Sequence, residues 1–327
     1  MNKKAILLLS GGLDSILAGR IMLEQGIEIE AVHFTMVFSD SENGAANVAK
    51  ELGIRFTAKN ITQEFLEVVK SPKHGYGSGV NPCVDCKIFM FKKAKEYMQN
   101  SGASFLATGE VLGERPMSQR RDTLSIIERE SGTKGLLLRP LSARLLDPTI
   151  PEQDGTVDRE KLYAISGRSR KPQMELAAKF GIKKYPNPAG GCLLTDPAFS
   201  KRADDLLEHN AFTLDNVTLL KLGRHFRWSE NCKVIVGRDE KENNAIFALA
   251  KDMDLLMNAK NLLGPVALLR GAATADDVNL ALRITARYVD RNGKDTVEMQ
   301  YWTPENESKS FAAVKPLEEE ELNKKRI

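Results

Sequence analysis

Along the first part of the chain the apolar positions alternate between two periods. Short apolar runs at 4–9 (KAILLL), 28–35 (EIEAVHFT), 54–58 (IRFTA) and 104–108 (SFLAT) read as buried strands. Between them, residues 13–25, 42–52, 61–70 and 84–100 space their apolar side chains as helices do. One further helix–strand alternation runs to about residue 140. Strand–helix alternation of this kind predicts a doubly wound parallel α/β sheet, with any ligand at the carboxyl ends of the strands. Residues 71–82 (SPKHGYGSGVNP) read as a Gly/Pro/Ser-rich loop, and 141–160 as irregular, with PTIPEQDG a loop. Lys171-Pro172 opens a helix to Phe180, with proline in its first turn. A second Pro/Gly loop, YPNPAGGC at 185–192, precedes a helix near 197–209.

From about residue 215 the pattern restarts. A strand at 232–237 (CKVIVG), a helix at 239–251, strands near 253–257 and 265–269, a helix at 275–290 and a strand at 296–302 describe a smaller α+β domain. The expected organisation is a first domain over 1–210, a second over 215–315, and a charged, frayed tail over 316–327 (PLEEEELNKKRI). No internal repeat is present.

Composition narrows the class. The 327 residues are 42% hydrophobic, enough for packed cores, and the net charge of +3 is too small to diagnose nucleic-acid binding, so any basic surface is local. The apolar run before Ser10 is about five residues, too short for a signal or membrane segment. The expectation is a soluble cytoplasmic protein without a membrane partner. The cysteines are Cys83, Cys86, Cys192 and Cys232. In a reducing compartment a C-x-x-C pair reads as metal or redox chemistry.

Ser10-Gly11-Gly12-Leu13-Asp14-Ser15 falls at a strand-to-helix turn. Two glycines let the backbone curl close to a ligand, and the helix start offers free N–H groups, which together make an anion site. The string lacks the lysine of a triphosphate-binding P-loop and is not G-x-G-x-x-G. It resembles the pyrophosphate loop of the PP-loop ATP pyrophosphatase superfamily, which includes GMP, asparagine and NAD synthetases and the tRNA thiouridine synthetases. The resemblance implies an adenine nucleotide alpha hydrolase-like fold, ATP with Mg²⁺, cleavage between the α and β phosphates, and adenylation of an acceptor oxygen. It further implies that Ser10, Gly11, Gly12 and Ser15 hold the pyrophosphate, with Asp14 assisting through the loop or Mg²⁺. Phe34 stands where this family's backbone meets adenine, and Gly109 where it has a nucleotide-contacting glycine. His33, taken alone, reads as structural.

Asn81-Pro82-Cys83-Val84-Asp85-Cys86-Lys87 follows the first flexible loop and opens a helix. Thiolates at a helix N-terminus are expected to have lowered pKa, which suits ligation or nucleophilic attack. A lone C-x-x-C is half of a zinc site, and no second one exists. The next cysteine, Cys192, stands 106 residues beyond Cys86 in Ala189-Gly190-Gly191-Cys192. This set is similar to that of the tRNA 2-thiouridine and 4-thiouridine synthetases. In the bacterial 2-thiouridylases an N-P-x-x-x-C segment contacts the target base and carries the first catalytic cysteine, while a distant loop cysteine carries a persulfide. Cys86 and Cys192 match these. Cys83 falls where many of those enzymes have Asp. A C-x-x-C plus one distant cysteine resembles the thiouridine synthetases that hold a [4Fe–4S] cluster, with Cys83, Cys86 and Cys192 as ligands and one iron open. A cluster, a persulfide relay through Cys86 and Cys192, and zinc all stay open. Cys232 reads as a core cysteine. Asp85 reads either as a general base or as an exposed carboxylate.

Two basic segments, Arg115–Arg121 and Ser166–Lys171, should lie on the ligand side of the sheet, as a solvated face or against phosphates. Arg115 or Arg168 could meet the leaving pyrophosphate. Val236-Gly237-Arg238-Asp239-Glu240-Lys241-Glu242-Asn243-Asn244, with Leu263–Leu269, resembles the RNA-binding domain of the NFACT proteins over roughly 215–305. That resemblance implies a tRNA-handling module; the alternative is a packing domain with a capped helix. Together these imply an ATP-dependent tRNA sulfurtransferase, with tRNA and a sulfur donor (sulfide or a cysteine desulfurase) as partners. Competing readings are sulfur insertion into a small molecule, a deazapurine-forming ligase, and a non-catalytic RNA-binding sensor of iron or redox state.

Overall fold

A computed structural model of the chain describes residues 2–38, 42–185, 192–291 and 293–327. Its contacts divide it into two units, residues 1–195 and 196–327.

The first unit runs β1 (Lys4–Leu8), α1 (Leu13–Glu24), β2 (Glu28–Thr35), α2 (Glu42–Leu52), β3 (Arg55–Asn60), α3 (Thr62–Lys70), α4 (Cys83–Asn100), β4 (Phe105–Thr108), α5 (Arg121–Ser131), β5 (Leu137–Leu138), α6 (Ile150–Gln153) and α7 (Lys171–Lys179). The strands form one parallel sheet in the order β3-β2-β1-β4-β5. The period-two alternation of β1 explains its two covered faces. Ala5 and Leu7 pack with α1, α2 and α7 on one side. Ile6 packs with Ile88, Phe91 and Ile127 of α4 and α5 on the other. The strand order reverses at β1, so the crevice between the carboxyl ends of β1 and β4 is where this architecture places a ligand.

The second unit runs α8 (Pro197–Glu208), α9 (Leu214–Leu219), β6 (Arg224–Arg227), β7 (Cys232–Val236), α10 (Glu240–Ala248), β8 (Leu255–Ala259), β9 (Ala267–Gly271), α11 (Ala275–Ala286), β10 (Val297–Thr303), β11 (Asn306–Val314) and α12 (Glu319–Lys325). Its six strands are antiparallel, in the order β11-β10-β8-β9-β7-β6. One face packs on α11, and α9 and α10 cover part of the other. Asp205 of α8 is buried and takes two hydrogen bonds from Arg227, both 2.8 Å, and one from Lys233 at 2.9 Å.

Three readings from the sequence change. PTIPEQDG contains a helical turn, α6, because Glu152 Oε2 accepts from the Thr149 N–H at 2.8 Å and its hydroxyl at 2.6 Å. The C-terminal residues are not frayed: Leu317 and Leu322 are buried and anchor α12. Strands β6 and β11 escape the apolar pattern because RHFR and NESKSFAAV turn few large apolar side chains inward. No helix among the described residues is long and apolar enough to cross a membrane.

Candidate functional site

The turn after β1 is shaped by what it cannot accommodate. Gly11 has φ +81°, and a Cβ there would stand 2.9 Å from backbone atoms of Gly44 and Ala45. The hydroxyls of Ser10 and Ser15 hold the curl: Ser10 Oγ accepts from Gly12 N at 3.3 Å and donates to Ser15 Oγ at 3.2 Å, which donates to Gly12 O at 2.8 Å. Gly12 caps α1 with extended backbone and no side-chain bond, so the first N–H groups of α1 are not taken by a side-chain cap. Gly109 closes the other wall. A Cβ at Gly109 would lie 2.4 Å from Asp14 C and Ser15 N, so only glycine lets the end of β4 touch the first turn of α1.

Asp14 is aimed into this crevice. Burial raises its carboxyl pKa, against the pull of Arg170, Gln173 and Arg115. Its Oδ1 is buried without a hydrogen-bond partner, as are both amide atoms of Gln173, so Gln173 lies close without a well-formed bond. The two basic segments meet here. Leu112 pairs with Ser166 as a parallel bridge, and Gly167 N donates to Leu112 O at 2.7 Å. That junction brings Arg115 and Arg170 to bear on Asp14 and on Glu114, whose pKa burial and Asp14 raise.

The thiols come from two segments. Pro82 caps α4, Cys83 is its first residue, and Cys86 N donates to Pro82 O at 2.7 Å. Cys192 precedes the helical turn Leu193–Thr195, whose Thr195 donates to Cys192 O through N at 2.8 Å and Oγ1 at 2.6 Å. Residues 186–191, including Ala189-Gly190-Gly191 of the second glycine loop, lie outside the described residues. Burial pushes the Cys86 thiol up to about 12; Lys87 opposes this, while Cys192, Cys83 and Asp85 add to it. Cys192 is likewise raised by burial, lowered by the Leu194 N–H and raised by Cys83. All three thiols therefore lie within electrostatic reach of one another. The thiolate lowered by a helix start does not hold for Cys86: enclosure outweighs the helix end and the ammonium. Asp85 is neither exposed nor a free base, because it is buried and accepts from His74 N at 2.9 Å, pinning the 71–82 loop. Among the described residues no three His, Cys, Asp or Glu side chains gather as ligands of a single ion.

A buried chain of charges joins the thiols to the strand ends, and the apolar pattern gave no sign of it. Lys87 Nζ lies 3.2 Å from Glu110 Oε1, Glu110 Oε2 accepts from Arg139 Nε at 3.1 Å, and Arg139 also pairs with Glu128. Arg139 is 2% exposed and its Nη2 has no partner. The one available signal was position: Arg139 directly follows β5, and Glu110 stands two residues past the end of β4. His33 is structural, its Nδ1 2.7 Å from Leu9 O and its ring stacked on Phe56. Phe34 keeps its ring in the core, with its backbone at the end of β2.

Residues 1–144 match the family model described as thiamine biosynthesis protein (ThiI), and residues 223–326 match that of the NFACT protein RNA-binding domain. The first match lies within the first unit and the second within the second unit. A probable tRNA sulfurtransferase of Lysinibacillus sphaericus is 34% identical over 48% of this chain and 39% of its own length. One of Thermotoga maritima is 29% identical over 67% of this chain and 55% of its own. The tRNA-specific 2-thiouridylase MnmA of Syntrophotalea carbinolica is 33% identical over 33% of this chain and 34% of its own. The chain thus spans from 34% to 55% of the length of these relatives.

In the second unit, Arg238, Asp239, Glu242 and Asn243 of the Gly237–Asn243 string are occupied by the fold. Asp239 caps α10 by accepting from Glu242 N at 2.9 Å. Glu242 pairs with the Arg238 side chain and accepts from the N–H groups of Arg238 and Gly223. Asn243 Oδ1 accepts from Val266 N at 3.0 Å. Cys232 is fully buried, its Sγ 3.4 Å from Ala272 O.

Proposed function

We propose that the protein is an ATP-dependent tRNA sulfurtransferase that adenylates a uridine carbonyl oxygen and exchanges it for sulfur. The observation that carries this reading is the glycine turn after β1, where α1 offers uncapped N–H groups and Gly109 packs on Asp14 and Ser15, in the same unit as Cys83, Cys86 and Cys192. The ThiI-type and RNA-binding matches and the sulfurtransferase relatives support it.

The phosphates of ATP lie over Ser10–Ser15, where α1 offers its first N–H groups. The orphaned Asp14 Oδ1 fits a Mg²⁺ accompanying them. A uridine enters near Asn81-Pro82. Its carbonyl oxygen attacks the α-phosphorus, the bond to pyrophosphate breaks, and Arg115 and Arg170 neutralise the departing charge. AMP makes that oxygen a good leaving group. A sulfur nucleophile at the three-thiol site attacks the ring carbon, and AMP leaves with the oxygen. Holding both reactants in one crevice supplies proximity.

A C-x-x-C pair with a third thiol within electrostatic reach is a donor set that would bind three irons of a [4Fe–4S] cluster. Such a cluster supplies a Lewis acid that keeps a sulfur ligand anionic at neutral pH. Metal coordination would deprotonate these thiols outright. Sulfide would supply the sulfur directly, whereas the persulfide sulfur of a cysteine desulfurase would first need two-electron reduction to sulfide by a thiol.

Anaerobic purification with iron analysis, and digestion of tRNA from a deletion strain, test the reading. Iron bound to the wild type but not to Cys83→Ala, with a thionucleoside missing from the deletion strain, is the expected result. Unchanged thionucleosides would remove the tRNA assignment. An iron-free preparation that still thiolates would replace the cluster by the relay.

A further inference from the structure

Part of one face of the second sheet carries no helix. Along β10, Val297, Met299 and Tyr301 join the core under α11, which turns Glu298, Gln300 and Trp302 to the other side. There α9 and α10 cover Ile235, Leu256 and Leu268, with Trp302 at the margin. Beyond that margin the register aligns one row across three strands. Gln300 stands opposite Asn258 of β8 and opposite Phe311 of β11, and its Nε2 donates to Asn258 Oδ1 at 2.9 Å. Phe311 is 53% exposed in mid-strand. The Lys260 ammonium lies 4.7 Å from the Phe311 ring centre, and that of Lys309 lies 5.0 Å from the Trp302 ring. Glu298 flanks the row, 3.5 Å from Lys260.

We propose that this face binds unpaired nucleotides of an RNA. Bases stack on Phe311 and Trp302, the lysine ammoniums swing from the rings to phosphates, and the Gln300–Asn258 amides meet base edges. The inference rests on the RNA-binding reading of this unit and adds the surface and the kind of RNA. An exposed ring and a half-buried one on a sheet, each beside a cation, match the two things a single strand offers: flat base faces and a regular line of negative charge. A duplex hides its base faces within the stack, so it cannot use the rings. A protein strand pairing with the open edge of β11 would use backbone groups and leave the rings idle.

The test uses the full chain. The sequence has two tryptophans, so Trp228→Phe leaves Trp302 as the sole emitter. Titration with an unstructured oligoribonucleotide should quench that emission, and a duplex of equal length should bind more weakly without quenching. Phe311→Ala should weaken single-strand binding by about 5- to 150-fold, and Phe311→Tyr should restore it. Lys309→Ala should reduce the salt dependence by about one phosphate contact. Because Phe311 is exposed, an unchanged melting temperature is expected for its variants. Wild-type chain that binds tRNA while Phe311→Ala binds equally well overturns this surface alone. Wild-type chain that binds no RNA overturns the RNA-binding reading as well.

Discussion

Two glycine-containing strings in this chain open helices at the ends of strands, and the fold treats them in opposite ways. In Gly237–Asn243 the polar side chains answer backbone N–H groups: Asp239 caps α10, Glu242 takes two N–H groups and Asn243 holds Val266. In Ser10–Ser15 the serines hold the turn, but Asp14 Oδ1 and the neighbouring Gln173 amide are buried and unanswered, and α1 lacks a side-chain cap. Leaving a buried polar atom unpaired costs about 1–3 kcal/mol, so the Ser10–Ser15 string carries a cost that Gly237–Asn243 does not, and under the proposed function that cost is left for a ligand to relieve.

The largest effect should come from the fully answered region. Asp205→Ala leaves Arg227 and Lys233 without their shared carboxylate. Breaking a buried pair this way costs about 3–5 kcal/mol, read as a lowered melting temperature of the second unit. Burial would raise Asp205, but the Arg227 hydrogen bonds and the Lys233 charge outweigh it and hold the carboxyl at about 2. A depressed folded pKa means that stability is full above the unfolded value and is lost as pH falls toward about 2. Wild type should therefore lose about 2 kcal/mol over that acid window, and Asp205→Ala should not. Equal acid sensitivity in both proteins would refute the pairing.

Gly109→Ala tests the Ser10–Ser15 string. The added Cβ would sit 2.4 Å from Asp14 and Ser15 backbone atoms, so the first turn of α1 must move. A displacement of about 1 Å can cost on the order of 10²-fold in rate, which ATP–pyrophosphate exchange would read. Unchanged exchange would mean that the phosphates do not rest on this turn.

The parallel sheet was legible because β1 and β4 are apolar runs, β2 is apolar over most of its length, and helical spacing separates the strands. The glycine turn after β1 was legible because glycines and small hydroxyls after a buried strand mark a tight strand-to-helix turn. Cys192 within electrostatic reach of Cys86 could be expected only by resemblance, since no local pattern links positions so far apart. The Lys87–Glu110–Arg139–Glu128 chain was not legible at all. Charged residues read as surface until tertiary packing encloses them together, and here two parallel strands deliver Glu110 and Arg139 side by side. The same limit hid how Gly237–Asn243 is held: two of its partners, Gly223 and Val266, lie outside the string.

Asn243→Ala sharpens that last point. It strands the Val266 N–H, so the second unit should lose about 1–3 kcal/mol, while ATP–pyrophosphate exchange stays unchanged. Loss of exchange at full thermal stability would make Asn243 a ligand contact instead.

The smallest effect is the most discriminating because its sign is reversed. Asp14 has its folded pKa raised, chiefly by burial, so its ionised form is a burden on the native state. The unfolded chain releases this proton at lower pH than the folded chain, so stability falls as pH rises through the window above 3.8. Asp14→Asn removes the charge at nearly constant shape. At neutral pH it should stabilise the first unit by about 0.5–1 kcal/mol, with the gain shrinking in acid, while ATP–pyrophosphate exchange falls. A structural carboxylate would behave the other way: the substitution would lower the melting temperature, and the loss would be greatest at neutral pH. Melting curves of the two proteins at neutral and acid pH therefore tell whether this buried oxygen is held for the fold or for what the fold receives.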